Sequence, residues 1–266
     1  MASNQKNTKL NKLLSEWKDG VVYTSPWLSE NGYTPDMLFG YKESNWVRSI
    51  GRGAYVKAQD EPLWEGAVHA LQNQLNFSVH VGGETALELQ GVRHNVSPRL
   101  KECHLYTPSK RKLPAWFNSY DWEAEIKLHI STMFGEKDLG IKSIELKNSV
   151  PVKVSEPERA ILELLSHVNS KPKFLKAWYL IEGMMTLRPN VVQRLLKSCK
   201  SVKVKRLFLF MAEKNELPWY EKLNVSEIDL GSGKRTIVKS GKLDNKFMIT
   251  VPEELFCSLF TDVHGS

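Results

Sequence analysis

"TPDMLFGYKESNWVRSIGRGAYV" runs from Thr34 to Val56. It opens on a hydroxyl residue followed by proline, the pairing of a helix N-cap with a first helical position whose missing N–H costs nothing. The same pairing occurs upstream as Ser25–Pro26 in "YTSPWLSENGY", with Asn31 and Gly32 placed to end that earlier helix. Ahead of both, Leu10, Leu13, Leu14 and Trp17 recur at helical spacing. Behind them, "WVRSI" and "AYVK" alternate apolar with polar residues on either side of the turn "GRG". Helix, helix-turn-helix and hairpin in this order give a winged helix-turn-helix unit over residues 1–58.

In such a unit the second helix of the turn motif can enter a major groove while the hairpin tip lies on the backbone or in the minor groove. On the helix from Pro35 to Asn45, Leu38 and Tyr41, with Met37 beside them, form the core side, leaving Asp36, Phe39, Lys42, Glu43 and Asn45 outward or at the margin. Lys42 and Asn45 suit phosphate or base-edge contacts. Arg52 stands at the wing tip between glycines that permit close backbone approach, Arg48 and Lys57 flank it, and Trp46 is expected to pack beneath the hairpin. With the two hydroxyl caps, the candidate DNA-binding set is Ser25, Thr34, Phe39, Lys42, Asn45, Arg48, Arg52 and Lys57. The alternative is a winged helix that contacts a protein, its charges merely solvated.

The whole chain of 266 residues carries 37 basic and 30 acidic side chains, a net charge of +7. Counted by segment, residues 1–58 are +3, residues 59–150 are −2 and residues 151–266 are +6. Positive charge is thus concentrated at the two ends, which favours polyanionic partners. Cys103, Cys199 and Cys257 are widely separated, as expected of free thiols in a reducing cytoplasm. No apolar run has the length of a membrane span or the character of a signal peptide, so a cytoplasmic protein with no membrane partner is expected.

Residues 59–150 read as an α/β unit. "EPLWEGAVHALQNQL" is helical, "FSVHVGGETALELQG" is a strand, a glycine pair and a helix, and "ECHLYT", "EAEIKLHIST" and "GIKSIELKN" alternate as strands. Strand, glycine pair and helix can cradle phosphate, and "GGETAL" looks like the opening of a nucleotidyltransferase core. That chemistry needs two carboxylates one residue apart on the next strand to clamp Mg²⁺. Here Glu102 has His104 in the partner position, so the scaffold is read as nucleotidyltransferase-like but without its metal site. His80, His94, His104 and His129 lack i, i+4 partners and read as surface or packed histidines. No catalytic residue, metal site or cofactor is assigned.

Residues 151–266 read as a helical subdomain closed by a β-hairpin. Ser155 with Glu158 three residues on forms an expected capping box. Three further helices follow, in "KFLKAWYLIEGMMTL", "RPNVVQRLLKSC" and "VKRLFLFMAEKN". Between residues 188 and 206, Arg188, Arg194, Lys197, Lys200, Lys203, Lys205 and Arg206 occur without an acidic residue. The first six form a candidate second basic surface, against the plainer reading of a solvated positive face. "KRTIVKSGKLDNKFMITVP" is the hairpin, with turns at Ser240–Gly241 and Asp244–Asn245.

Taken in order, "NWVRSIGRGAYV", "WEGAVHALQNQ", "VHVGGETALELQG", "KLPAWF" and "SEPERAILELL" resemble the AbiEi family of antitoxins from type IV toxin-antitoxin, or abortive-infection, systems. The resemblance implies an α+β protein, not an enzyme, that represses its own operon by binding inverted repeats in promoter DNA and acts in phage defence. It implies a functional partner, a nucleotidyltransferase toxin opposed without a tight complex. The N-terminal domain would serve repression and residues 59–266 antitoxicity. Two other readings stay open: a nucleotide- or RNA-handling enzyme of the nucleotidyltransferase class, and a stand-alone winged-helix regulator.

Overall fold

The computed structural model describes residues 2–92, 100–146 and 150–253, with side chains from Lys9 onward. It is an α+β protein of two compact units, and the chain passes between them repeatedly. Residues 1–81, 97–131 and 142–154 form the first unit; 82–96, 132–141 and 155–266 form the second.

The first unit begins with α1 (Ala2–Glu16), β1 (Tyr23–Thr24), α2 (Ser25–Glu30), α3 (Pro35–Glu43), β2 (Val47–Gly51) and β3 (Ala54–Lys57). The three strands form a sheet of order β1-β3-β2, antiparallel throughout, with a bulge between Ser49 and Gly51. Leu10, Leu13, Trp17, Leu28, Tyr33, Leu38, Tyr41 and Val47 are buried together, so the three helices and the hairpin share a hydrophobic core. Gln74 takes the place of a further strand beside β1: its carbonyl accepts from the Thr24 amide at 2.8 Å and its amide donates to the Val22 carbonyl at 2.9 Å.

Next, α4 (Trp64–His69) continues as a π-helical turn over Ala70–Gln74 and leads into β4 (His80–Val81). The helix after it, α5 (Gly83–Leu89), belongs to the second unit. The chain returns for β5 (Glu102–Thr107), α6 (Ala115–Ser119), β6 (Glu125–Ile130), β7 (Ile141–Glu145) and β8 (Pro151–Ser155). These strands form a mixed sheet of order β6-β5-β4-β8-β7, with β5 parallel to β6, β4 antiparallel to β5 and β4 parallel to β8. Strand β8 was not expected, although Val150, Val152 and Val154 carry the period-two pattern and are all buried.

The second unit packs α5 with α7 (Pro157–Ser166), α8 (Lys171–Glu182), α9 (Pro189–Ser198) and α10 (Val202–Lys214). The expected closing hairpin is β10 (Lys242–Asp244) with β11 (Ile249–Val251), and β9 (Arg235–Thr236) adds to it in parallel. At the turn, Asp244 accepts the Phe247 amide at 2.7 Å. By packing, the chain groups into these two interleaved units. The reason is local: α5 buries Ala86 and Leu87 against α7, whereas the strands around it pair with one another.

Candidate nucleic-acid interface

Thr34 caps α3 as expected, its hydroxyl accepting the Met37 amide at 3.3 Å. Leu38 and Tyr41 turn inward, while Asp36, Phe39, Lys42, Glu43 and Asn45 are exposed. The helix ends in a Schellman motif: the Trp46 amide donates to the Tyr41 carbonyl at 2.9 Å and the Asn45 amide to the Lys42 carbonyl at 3.0 Å, with Asn45 left-handed at φ 54°. Asparagine at 45 thus has a backbone reason as well as an exposed amide.

Several expected roles change. Ser25 caps nothing with its side chain; Thr24 occupies the N-cap position of α2, and the Ser25 amide donates to the Gly53 carbonyl at 2.9 Å, tying the β2–β3 turn to the start of that helix. Trp46 is not beneath the hairpin but 49% exposed, because the Schellman turn brings Val47, 1% exposed, into that place. The glycines beside Arg52 answer to the protein itself: a Cβ on Gly51 would lie 2.7 Å from the Trp116 Cβ, and Gly53 holds φ 80° in the turn.

The cations divide into two groups. Arg48 pairs with Glu61 at 3.1 Å and donates to the Asp60 carbonyl at 2.8 Å, and Lys57 pairs with Asp19 at 2.6 Å. Lys42 and Arg52 are exposed and make no ion pair with a described residue. Lys42 lies on α3 and Arg52 in the turn between β2 and β3.

In the second unit, the run between residues 188 and 206 is largely neutralised by carboxylates remote in sequence. Arg188 grips Glu158 at 2.9 Å and Glu156 at 2.9 Å, Arg194 pairs with Glu136 at 2.8 Å and Lys197 with Glu227 at 2.6 Å. Lys203 is half-buried and Lys205 buried, while Lys200 is exposed. Arg206 is buried and donates to the carbonyls of Leu230, Gly231, Gly233 and Met248, stapling the chain ahead of β9 and β11 to α10. A count along the sequence could not register partners that only folding brings close.

The capping box is likewise replaced. Glu156 takes the N-cap position of α7, and Glu158 is buried against Arg188, whose amide and guanidinium donate to it at 2.9–3.0 Å. Burial pushes the Glu158 carboxyl upward, but these bonds outweigh it and hold it below the usual value. A depressed folded-state pKa adds stability above the unfolded value of 4.5, and that stability is lost as pH falls through the folded one. Glu158→Gln is expected to cost about 1 kcal/mol at neutral pH, the half-exposed partner limiting it, and to flatten the loss of stability below about pH 4.5 in urea titrations.

The glycine pair offers no vacant phosphate cradle. The Gly83 amide donates to Glu163 at 3.1 Å, and Glu163 also accepts from the Ser155 hydroxyl and Arg159 Nε, each at 2.8 Å. Arg159 in turn donates to the Lys137 and Leu139 carbonyls at 2.8 Å. The "GGETAL" and "EPERAILE" segments are joined by this buried carboxylate.

The histidines are less scattered than their spacing suggests. Along β5 and β6 the rings of His104 and His129 stack 5.2 Å apart with nitrogens at 2.9 Å, and Tyr106 stacks on His80 and lies tilted beside His129. Parallel register between the two strands, invisible to spacing along the chain, brings them together. Glu102 lies 3.3 Å from His104, and no cluster of metal-ligating side chains occurs among the described residues. Cys103 and Cys199 are free and buried, while Cys257 and His94 lie outside the described residues. No described helix is long and apolar enough to cross a membrane.

Residues 6–98 match the family model described as "Transcriptional regulator, AbiEi antitoxin N-terminal domain", and residues 100–252 match "Transcriptional regulator, AbiEi antitoxin, Type IV TA system". Among solved structures, the RV2827C protein from Mycobacterium tuberculosis is similar in fold, with a TM-score of 0.59 at 12% identity, covering 90% of this chain and 88% of that one. No curated protein matches in sequence.

Proposed function

Because the chain belongs to the AbiEi family, the transcriptional regulators and antitoxins of type IV toxin-antitoxin systems, we propose that it binds inverted repeats in its own promoter through a winged helix-turn-helix over residues 1–58. In this reading α3 enters the major groove and the β2–β3 hairpin is the wing. The observation that carries it is that Lys42 and Arg52, on those two elements, are exposed and make no ion pair with a described residue. Thr34 and Ser25 position the helices, and Phe39 and Asn45 face the groove. Arg48 and Lys57, half-buried themselves, contribute by exchanging the exposed carboxylates of Glu61 and Asp19 for phosphates. Of the second basic run only Lys200 is exposed and without a described ion pair, so the footprint is assigned to the first unit.

The family is one of regulators and antitoxins, which is not an enzyme class. Residues 59–266 serve antitoxicity in this proposal, opposing a nucleotidyltransferase toxin in the cytoplasm without a lasting complex. The strand, glycine pair and helix support a nucleotidyltransferase-like ancestry, while Glu163 on the Gly83 amide disfavours the enzymatic alternative, since it fills the place a substrate phosphate would take.

Arg52→Ala is expected to weaken binding to the chain's own promoter duplex about fivefold and to lower the slope of log affinity against log salt by about one. Mobility-shift titrations at several salt concentrations measure both. Unchanged affinity and slope would remove Arg52 from the interface, and no binding by the unaltered protein would overturn the proposed regulatory role.

A further inference from the structure

Phe39 is 66% exposed, more than any other large hydrophobic side chain among the described residues. It lies in the middle of α3, one turn before Lys42 and opposite the buried Leu38 and Tyr41. Beside it, a Cβ placed on Gly40 would meet nothing within 4 Å, so the helix backbone there is open to close approach. A phenyl ring on a groove-facing helix offers no hydrogen bond to phosphate or to a base edge. The apolar group that a major groove presents is the C5-methyl of thymine.

We propose that Phe39 is a specificity-determining residue that reads thymine through its C5-methyl group. The inference rests on the DNA-binding assignment of α3 and adds to it a base identity at one operator position. Lys42, one turn away, supplies the charge that holds the helix against the backbone, while the ring gains by leaving water only where a methyl group meets it.

The test compares two duplexes of the chain's own promoter, one made with thymine and one with uracil, which pairs identically but lacks the methyl. The unaltered protein is expected to bind the thymine duplex at least fourfold more tightly, about fourfold being the effect of one buried methyl. Phe39→Ala should show a thymine preference smaller by about that fourfold, and Phe39→Leu should keep part of the difference. Because uracil also alters methyl contacts elsewhere, the deciding quantity is the ratio of ratios between Phe39→Ala and the unaltered protein. Equal binding of both duplexes by the unaltered protein overturns the inference, as does a thymine preference undiminished in Phe39→Ala. In either case the DNA-binding reading stands, whereas no binding to either duplex sinks that reading and this inference with it. Phe39 is exposed, so a circular-dichroism melt of Phe39→Ala should match the unaltered protein.

Discussion

Glu163→Ala is expected to destabilise the second unit by about 3–5 kcal/mol, the cost of removing one partner from a buried charge pair. Glu163 and Arg159 are both buried, so the guanidinium left behind has no carboxylate and little water to replace it. The Gly83 amide and the Ser155 hydroxyl lose their acceptor in the same step. At roughly 2–4 °C per kcal/mol for a protein of this size, the thermal midpoint should fall by about 10 °C. Glu163→Gln keeps an acceptor but not the charge, and should fall between. Combining Arg159→Met with Glu163→Met should recover part of the loss, because no charge remains buried. If the single and double variants melt alike, the guanidinium is not what Glu163 compensates.

Gly66→Ala should be nearly as damaging in the first unit, by about 2–3 kcal/mol. In an exposed helix the change would stabilise by roughly 1 kcal/mol, since alanine is the better helix former. Here the added Cβ would sit 2.3 Å from the Gly20 carbonyl oxygen and 2.8 Å from the Val21 Cα, both backbone atoms. That carbonyl cannot swing aside freely, for it accepts the Leu63 amide at 3.0 Å, and the Gly20 amide is held by Asp60 at 3.3 Å. Steric cost therefore exceeds propensity, and urea unfolding should show a lower midpoint with an unchanged slope. An unaltered midpoint would mean that the Gly20 segment yields more easily than its hydrogen bonds imply.

The helices of the second unit and the N-terminal helix-and-hairpin order were legible because their signals are local. Proline at the first turn marks α3, α7 and α9, and apolar spacing marks α8 and α10. What escaped were features decided by folded geometry rather than by spacing along the chain. Ser155 has the spacing of a capping serine, yet its hydroxyl goes to Glu163 on the next turns of α7, a carboxylate already committed to Arg159. Trp46 alternates correctly for a strand, but the left-handed Asn45 before it turns the ring outward. The basic run from Arg188 looked unopposed until folding brought Glu136, Glu156, Glu158 and Glu227 beside it. Of the candidate interface, the direction of each α3 side chain followed from helical period alone, whereas the engagement of Arg48 and Lys57 by Glu61 and Asp19 did not.

The interleaving of the two units also sets a timetable for the nascent chain. Helix α5 leaves the ribosome with Thr85, Ala86 and Leu87 bare, and its partner α7 begins only at Pro157, 74 residues after Gly83. At about 5–20 residues per second, translation takes roughly 4–15 s to deliver that partner. Throughout that interval the "GGETAL" segment is a newborn's sticky patch, and slowing elongation between the two should raise the demand for chaperones.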